Sequence, residues 1–292
     1  MLTVNWASMR NQGVEIALST RNVHTKNFMW TTNFNFAYNN NKVLKEALRE
    51  DALEPGREGY PEGALFALKT AGLDEEGYPM FQDKDGKAVS AMEFFKLQEW
   101  GFGATDLTAR ERRELYTYVG TADCPYTGGF NNTFTYKAFE LGVNFSFDFG
   151  GKVRSQPTYS IVDFDKGRNT NRDILNRWTP ENTETIFPVL LSQNERLDEY
   201  MWYSNQNEIY RNLDIWIRDL NYVRLQNIRL GYTLPTNFSR TLGMTSATVA
   251  IEGRNLLVFG SSYKNYLDPE TMSNAYATPA PKSVTLSLNL IF

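Results

Sequence analysis

The chain has 292 residues, 41% of them hydrophobic, enough for one large β domain or two ordinary ones. A net charge of -4 argues against a nucleic-acid binder, which needs a basic face. Mean hydropathy is -0.46, and no apolar run approaches the ~18 residues of a membrane helix. A helical membrane protein is therefore excluded, whereas a transmembrane β-barrel, whose strands carry only an alternating signal, is not. The aromatic share, 14% with 6 Trp, 16 Tyr and 19 Phe, suits membrane interface belts or carbohydrate-facing surfaces.

The first elements are two strands. Residues 13–20 set Val14, Ile16 and Leu18 against Glu15, Ala17 and Ser19, and residues 28–38 set Phe28, Trp30, Phe34, Phe36 and Tyr38 against Met29, Thr31, Asn33 and Asn35. A tight polar turn around residues 22–26 joins them. From Asn39 to about Gly128 sustained alternation disappears and Gly, Pro and charge accumulate. Residues 40–127 hold 11 Lys+Arg against 17 Asp+Glu, net -6, so the rest of the chain sums to +2. Capping-box patterns at Ser90/Glu93 and Thr108/Glu111 predict short helices over 91–100 and 109–118, so this long segment is expected to be folded.

Alternation resumes over 129–136 and again over 138–149, where Phe139, Leu141, Val143, Phe145, Phe147 and Phe149 oppose Glu140, Gly142, Asn144, Ser146 and Asp148. Gly150-Gly151 is read as the end of that strand. A second irregular segment follows to about Arg218, with a short helix expected over 171–178 before Thr179-Pro180. Strands are then expected over 227–234 and 247–252, joined by a short connection at 235–243. A third loop, 258–281, leads into the last strand, 282–292, in which Val284, Leu286, Leu288, Leu290 and Phe292 share one face and Ser283, Thr285, Ser287 and Asn289 the other.

Seven strands result, and their connections alternate short, long, short, long, short, long. An outer-membrane barrel sorts its loops in this way, with tight periplasmic turns and long external loops, whereas a soluble sandwich has no reason to. Two open edges cannot persist in hydrocarbon, where each unpaired backbone group costs several kcal/mol. The chain is accordingly expected to be the C-terminal part of a larger closed barrel, with Val284, Leu286, Leu288 and Leu290 toward lipid and Thr285, Ser287 and Asn289 toward the lumen. No signal-peptide pattern follows Met1, so for an outer-membrane protein the true N-terminus is expected upstream.

Few residues advertise chemistry. One cysteine, Cys124, and one histidine, His24, leave no internal disulfide and no His-rich metal site. Asp83-Lys84-Asp85-Gly86 has the look of a calcium loop but lacks its closing Glu, and a hairpin turn is the expectation; Asp163 and Asp165 near Gly167 are read the same way. Glu75-Glu76 sits in a solvated loop without the apolar surroundings that split the pKa values of a catalytic pair. No catalytic acid, base or nucleophile, no cofactor and no metal is assigned, and the chain is not expected to be an enzyme. The loop aromatics Trp100, Tyr200, Trp202, Tyr203 and Tyr210 are the substrate-binding candidates, since flat amphipathic rings stack on sugar or peptide faces. Packing of the loops, or contact with another protein, is the competing account of them, and Trp178 is expected to be a packing residue.

The runs Tyr126-Thr127-Gly128-Gly129-Phe130-Asn131-Asn132, Phe145-Ser146-Phe147-Asp148-Phe149-Gly150-Gly151, Arg177-Trp178-Thr179-Pro180-Glu181-Asn182, Leu225-Gln226-Asn227-Ile228-Arg229-Leu230-Gly231-Tyr232 and Gly253-Arg254-Asn255-Leu256-Leu257, with the last strand, resemble the C-terminal part of SusC/RagA-type TonB-linked outer-membrane proteins. The early Met9-Arg10-Asn11-Gln12-Gly13-Val14-Glu15 resembles the same family. The resemblance implies a large TonB-dependent barrel in the outer membrane of a Gram-negative bacterium, with signal peptide, carboxypeptidase-like extension and plug domain outside this chain. It implies import of oligosaccharides or peptides with a SusD-like surface lipoprotein, driven by the TonB-ExbB-ExbD complex. Phe292 then resembles the terminal aromatic that the barrel-assembly machinery recognises. The rival reading is a soluble or surface-attached β-rich glycan-binding module whose apolar faces pack sheet on sheet; a passive porin-like channel is a third.

Overall fold

A computed structural model describes residues 7–98, 105–155, 167, 172–190, 212–260, 268–272 and 277–292. In chain order the elements are β1 (Ser8–His24), β2 (Phe28–Lys45), β3 (Ala64–Leu68), β4 (Thr70–Leu73), β5 (Pro79–Gln82), β6 (Ala88–Val89), α1 (Ala91–Phe94), α2 (Ala109–Glu114), β7 (Tyr116–Thr121), β8 (Tyr126–Tyr136) and β9 (Phe139–Arg154). Short 3-10 turns at Arg172–Asn176 and Asp214–Trp216 precede β10 (Ile217–Thr233), α3 (Thr236–Thr241), β11 (Ser246–Phe259) and β12 (Ser283–Ile291).

Seven strands form one antiparallel sheet in the order β1-β2-β8-β9-β10-β11-β12. Each pairs with the next of the set in sequence, so the connections fall alternately at the two ends. Residues 25–27, 137–138 and 234–245 close one end, and the three long segments 46–125, 155–216 and 260–282 leave the other. The fold class, the strand count and the loop alternation are those expected from the sequence.

Cross-strand pairing shows which side chains share a face, because directly opposed residues point the same way. Leu18, Phe34, Phe130, Phe145, Leu225 and Leu257 form one row across six strands; Trp30, Phe134, Leu141, Leu230, Ile251 and Leu286 form another. The rows continue the apolar face of β12, where Val284, Leu286, Leu288 and Leu290 lie opposite Gly253, Ile251, Val249 and Ala247. Aromatic residues bound this band at both margins. Phe28 and Tyr38 on β2, Tyr126 and Tyr136 on β8, and Phe139 and Phe149 on β9 are each ten positions apart, and the Tyr38–Tyr126 and Phe139–Tyr232 ring centroids lie 5.2 and 4.6 Å apart. Ten residues advance about 33 Å along a strand, or about 25 Å in height at a barrel tilt near 40°, which is the apolar height of an outer-membrane wall.

The structure refines several element boundaries. β9 does not stop at Gly150-Gly151. Gly150 takes φ +83, the pairing with β10 slips between Leu220 and Tyr222, and the strand runs on to Arg154. A bulge thus replaces the expected break. β10 begins ten residues before 227, and Gln226 stands outside the ladder between Leu225 and Asn227. That extra residue switches the alternation, so Tyr222 and Arg224 share a face with Asn227 and Arg229, and the even-numbered half of the strand is hidden from a period-two reading.

The first long segment folds into a lobe on the far side of the aromatic margin. β3 pairs with β7, and β4, β5 and β6 form a small meander. Leu68, Phe81, Val89, Phe94, Phe95, Leu213 and Trp216 make its core, drawing Leu213 and Trp216 from the segment that enters β10. Both predicted helices start where expected: Ser90 accepts from the Glu93 amide, and Thr108 with Glu111 forms a complete capping box. Both end early. α1 stops at Phe94 because Phe94 and Phe95 turn into the core and Lys96 adopts φ 46. α2 yields at Tyr116, where Tyr116 and Tyr118 pair with Leu68 and Phe66 across β3, so tertiary pairing overrides helix pattern. The helix expected over 171–178 is a 3-10 turn, Arg172–Asn176.

Candidate functional site

The face of the sheet opposite the apolar band is a polar surface built by the same register. Asn33, Asn131, Asn144 and Asn227 lie directly opposite one another across β2, β8, β9 and β10, a row of four amides with Ser19 at one end donating to the Asn33 carboxamide at 2.8 Å. Toward the short-turn end, Arg229 pairs with Glu140 at 3.1 Å and Arg254 with Glu252 at 2.7 Å. Gln226, displaced by the bulge, donates to Ser146 Oγ at 2.7 Å. Thr285, Ser287 and Asn289 of β12 complete this face opposite Glu252, Ala250 and Thr248. Amides, hydroxyls and half-exposed ion pairs on one side of a wall whose other side is apolar can line an aqueous path and offer hydrogen bonds to a polar solute.

The densest chemistry lies near the aromatic margin on the long-loop side. Arg224 on β10 is 2% exposed, and its guanidinium donates to Asp268 and, at 2.8 Å, to Glu270. The Tyr222 hydroxyl donates to Asp148 on β9 and stands 3.1 Å from Glu270. Asp268 and Glu270 belong to the third long segment, and Met272, 2% exposed, seats the same segment. One cation and a phenol therefore hold three carboxylates from two parts of the chain. The arrangement clamps the third loop onto the polar side of the wall. Removing Arg224 alone would leave the nearly buried Asp268 carboxylate, 9% exposed, without its cation, a cost of about 3–5 kcal/mol.

The clamp escaped the sequence reading for two reasons. Arg224 lies in the hidden half of β10, and its partners are 44 and 46 positions away. The five loop aromatics singled out there, Trp100, Tyr200, Trp202, Tyr203 and Tyr210, lie outside the described residues, as do Asp163 and Asp165. Trp178 packs as expected. Its indole lies so close over Gly77 that an added Cβ would meet the ring at 2.5 Å, and its amide donates to the Phe187 carbonyl at 3.0 Å. Asp83 accepts from the amides of Asp85 and Lys87 at 2.9 and 2.8 Å, the turn between β5 and β6. Asp74 caps the turn that carries Glu75-Glu76 in the same way. Cys124 is half-buried against Gly151, and burial, reinforced by Asp148, pushes its thiol pKa up, the reverse of an activated nucleophile. Phe292 follows β12 and is 82% exposed.

No protein-family model matches the chain. Among curated proteins it is 26% identical over 316 residues to TonB-dependent receptor P3 of Formosa agariphila and 22% identical over 311 residues to TonB-dependent receptor SusC of Bacteroides thetaiotaomicron. Each alignment takes in 99% of this chain but 29% and 27% of the relative, so the chain spans less than a third of the length of the relatives it matches. Among solved structures, that of the RagAB peptide transporter superposes with a TM-score of 0.69 at 22% identity, over 98% of this chain and 30% of that one. The similarity to TonB-dependent receptors and to the RagAB fold thus runs through nearly the whole sequence.

Proposed function

We propose that this chain is the C-terminal portion of the β-barrel of a SusC/RagA-like TonB-dependent importer, which takes up nutrients across the outer membrane of a Gram-negative bacterium. The observation that carries the proposal is the apolar band on one face of seven paired strands, margined by aromatics ten residues apart and backed by a row of amides. A soluble sandwich would cover that band with a second sheet; here Leu230, Ile251 and Leu286 stand 45%, 48% and 76% exposed. Lipid is the environment in which this exposure is favourable.

In this reading the amide row and the Arg224 clamp line the solute path, and the lobe and the two further long loops stand on the external side. The solute is an oligosaccharide or a peptide, with Trp100, Tyr200, Trp202, Tyr203 and Tyr210 as stacking contacts. A SusD-like lipoprotein meets the external loops, and TonB-ExbB-ExbD acts through a plug domain outside the chain. Phe292 serves as the signal read by the barrel-assembly machinery. No catalytic role is assigned to any residue. The names of the relatives, a SusC and a peptide transporter, support the import reading.

The test is the behaviour of the complete protein. It is expected in the outer-membrane fraction, extractable only with detergent, and with a gel mobility that changes on heating. A complete protein that is freely soluble without detergent would contradict the proposal.

A further inference from the structure

Above the upper aromatic margin the band-side face changes character. Along the β1–β2 ladder the successive opposed pairs are Ile16 with Phe36, Val14 with Tyr38, Gln12 with Asn40 and Arg10 with Lys42. All eight side chains share the face that carries the apolar band. Two apolar or aromatic pairs are thus followed by an amide pair and then by a pair of cations. Arg10 and Lys42 lie four residues beyond the Val14–Tyr38 pair, about 10 Å higher at barrel tilt, where the headgroups of the outer leaflet begin. With the turn at residues 59–61 they line a cleft of about 140 Å³, whose far wall is Tyr60, its ring packed tilted against Tyr118 at 4.8 Å and edge-to-face against Phe66 at 5.1 Å.

Two like charges placed directly opposite each other in a ladder repel. Neither has an ion pair or side-chain hydrogen bond among the described residues, and three acids of the flanking segments are engaged elsewhere. Glu46 accepts from the Arg57 amide, Glu62 pairs with Arg57 at 3.9 Å, and Asp123 accepts from Asn41 and from the Gly63 amide. The Gln12 and Asn40 side-chain amides add donors without a partner among the described residues. Among the described residues the two cations thus have no ion-pair partner, and an external anion can supply the counter-charge.

We infer that this cleft binds the phosphate of an anionic lipid headgroup in the outer leaflet. Arg10 and Lys42 meet the phosphate, Gln12 and Asn40 donate to its oxygens, and the acyl chains run down over Val14, Ile16 and Phe36. Continuity of the cationic cleft with the apolar band selects a lipid over a free anion, because a free phosphate has no use for the apolar pairs beneath. The inference rests on the reading of that band as lipid-facing and goes beyond it by naming a site and its ligand class.

The test uses the complete barrel protein in detergent, with phosphatidylglycerol as the anionic probe, phosphatidylcholine as the neutral one, and native mass spectrometry as the readout. Each basic side chain near an anionic surface is worth a factor of about five, so Arg10→Gln with Lys42→Gln is expected to weaken one phosphatidylglycerol site about thirtyfold and each single variant about fivefold. The double variant should retain one phosphatidylglycerol fewer than the parent, and phosphatidylcholine retention should not change. Charge-preserving Arg10→Lys with Lys42→Arg should restore retention, and a heat-dependent gel shift verifies that each variant is assembled. Should a variant fail to assemble, raising the salt on the parent protein must still release that one lipid. Equal retention by parent and double variant, no preference between the two lipids, or displacement by equimolar inorganic phosphate would overturn the inference. Those outcomes leave the barrel reading intact; a protein that takes up neither lipid and needs no detergent would end both.

Discussion

In the lobe, Phe81 and Trp216 are completely buried; in the wall, Val284 and Leu286 are 68% and 76% exposed. Both regions are built from β-strands rich in aromatic and aliphatic residues, yet one puts them inside and the other outside. The lobe solves the aqueous problem. It gathers side chains from the first long segment and from the entry to β10 around a common centre, and it ties its turns with Asp74, Asp83 and capped helix starts. The wall keeps its hydrogen bonds within the ladder and gives its polar side chains to one face, and in the proposed function the other face meets a solvent that is itself apolar. The difference teaches that exposure alone says nothing about stability until the solvent on each side has been named.

That comparison can be broken by mutation. Trp216→Ala should cost the lobe about 3–5 kcal/mol, since it opens a cavity that its packed neighbours cannot fill, and limited proteolysis of the external loops would report it. Arg224→Met should cost a similar 3–5 kcal/mol and free the third loop, because Asp268 and Glu270 lose their cation. Adding Asp268→Asn and Glu270→Gln should return much of that loss, a recovery readable by denaturant unfolding in lipid vesicles.

A charge on the band separates the two faces of one strand. Phe145→Arg should destabilise the inserted barrel by about 2–4 kcal/mol, whereas Asn144→Arg, one residue away and facing the polar side, should be nearly neutral. Truncations sharpen the contrast further. Leu68→Ala in the lobe core should cost about 2–5 kcal/mol. Leu230→Ala on the band should lose only the transfer contribution, about 1–2 kcal/mol, because lipid tails fill the space.

The smallest effect concerns the α2 cap. Hydrogen bonds from the Thr108 amide and hydroxyl, with help from Lys96, hold the Glu111 carboxyl below the usual carboxylate range. A group with a lowered folded-state pKa contributes fully at neutral pH, and its contribution fades as the pH falls through that folded-state value. Exchange protection of the α2 amides, corrected for intrinsic rates, should therefore drop in acid, and Glu111→Gln should remove that pH dependence.

The wall was far more legible in the sequence than the site. β9 could be read residue by residue, because an apolar face on one side of the sheet and a polar face on the other force a strict alternation. The helix starts at Ser90 and Thr108 were equally plain, being set by hydrogen bonds three residues apart. What escaped was every feature that depends on a second segment. β4, β5 and β6 are two to four residues long, too short for any period to emerge. Tyr116 and Tyr118 sit in a helical pattern that only β3 overrides. Gly150 signals a break in sequence and forms a bulge in the fold, and Gln226 reverses the alternation that would have revealed Tyr222 and Arg224. The clamp itself joins residues whose proximity is a product of the third loop folding back.

The central claim is that one face of the sheet meets lipid, and β9 offers its most direct test. Single cysteines at each position from Phe139 to Phe149, in a Cys124→Ser background of the complete barrel, can carry an environment-sensitive fluorophore in vesicles containing brominated lipid. Quenching should alternate with period two, strong at positions 141, 143, 145 and 147 and weak at 140, 142, 144 and 146. Uniform quenching, none at all, or an alternation of the opposite phase would contradict the account.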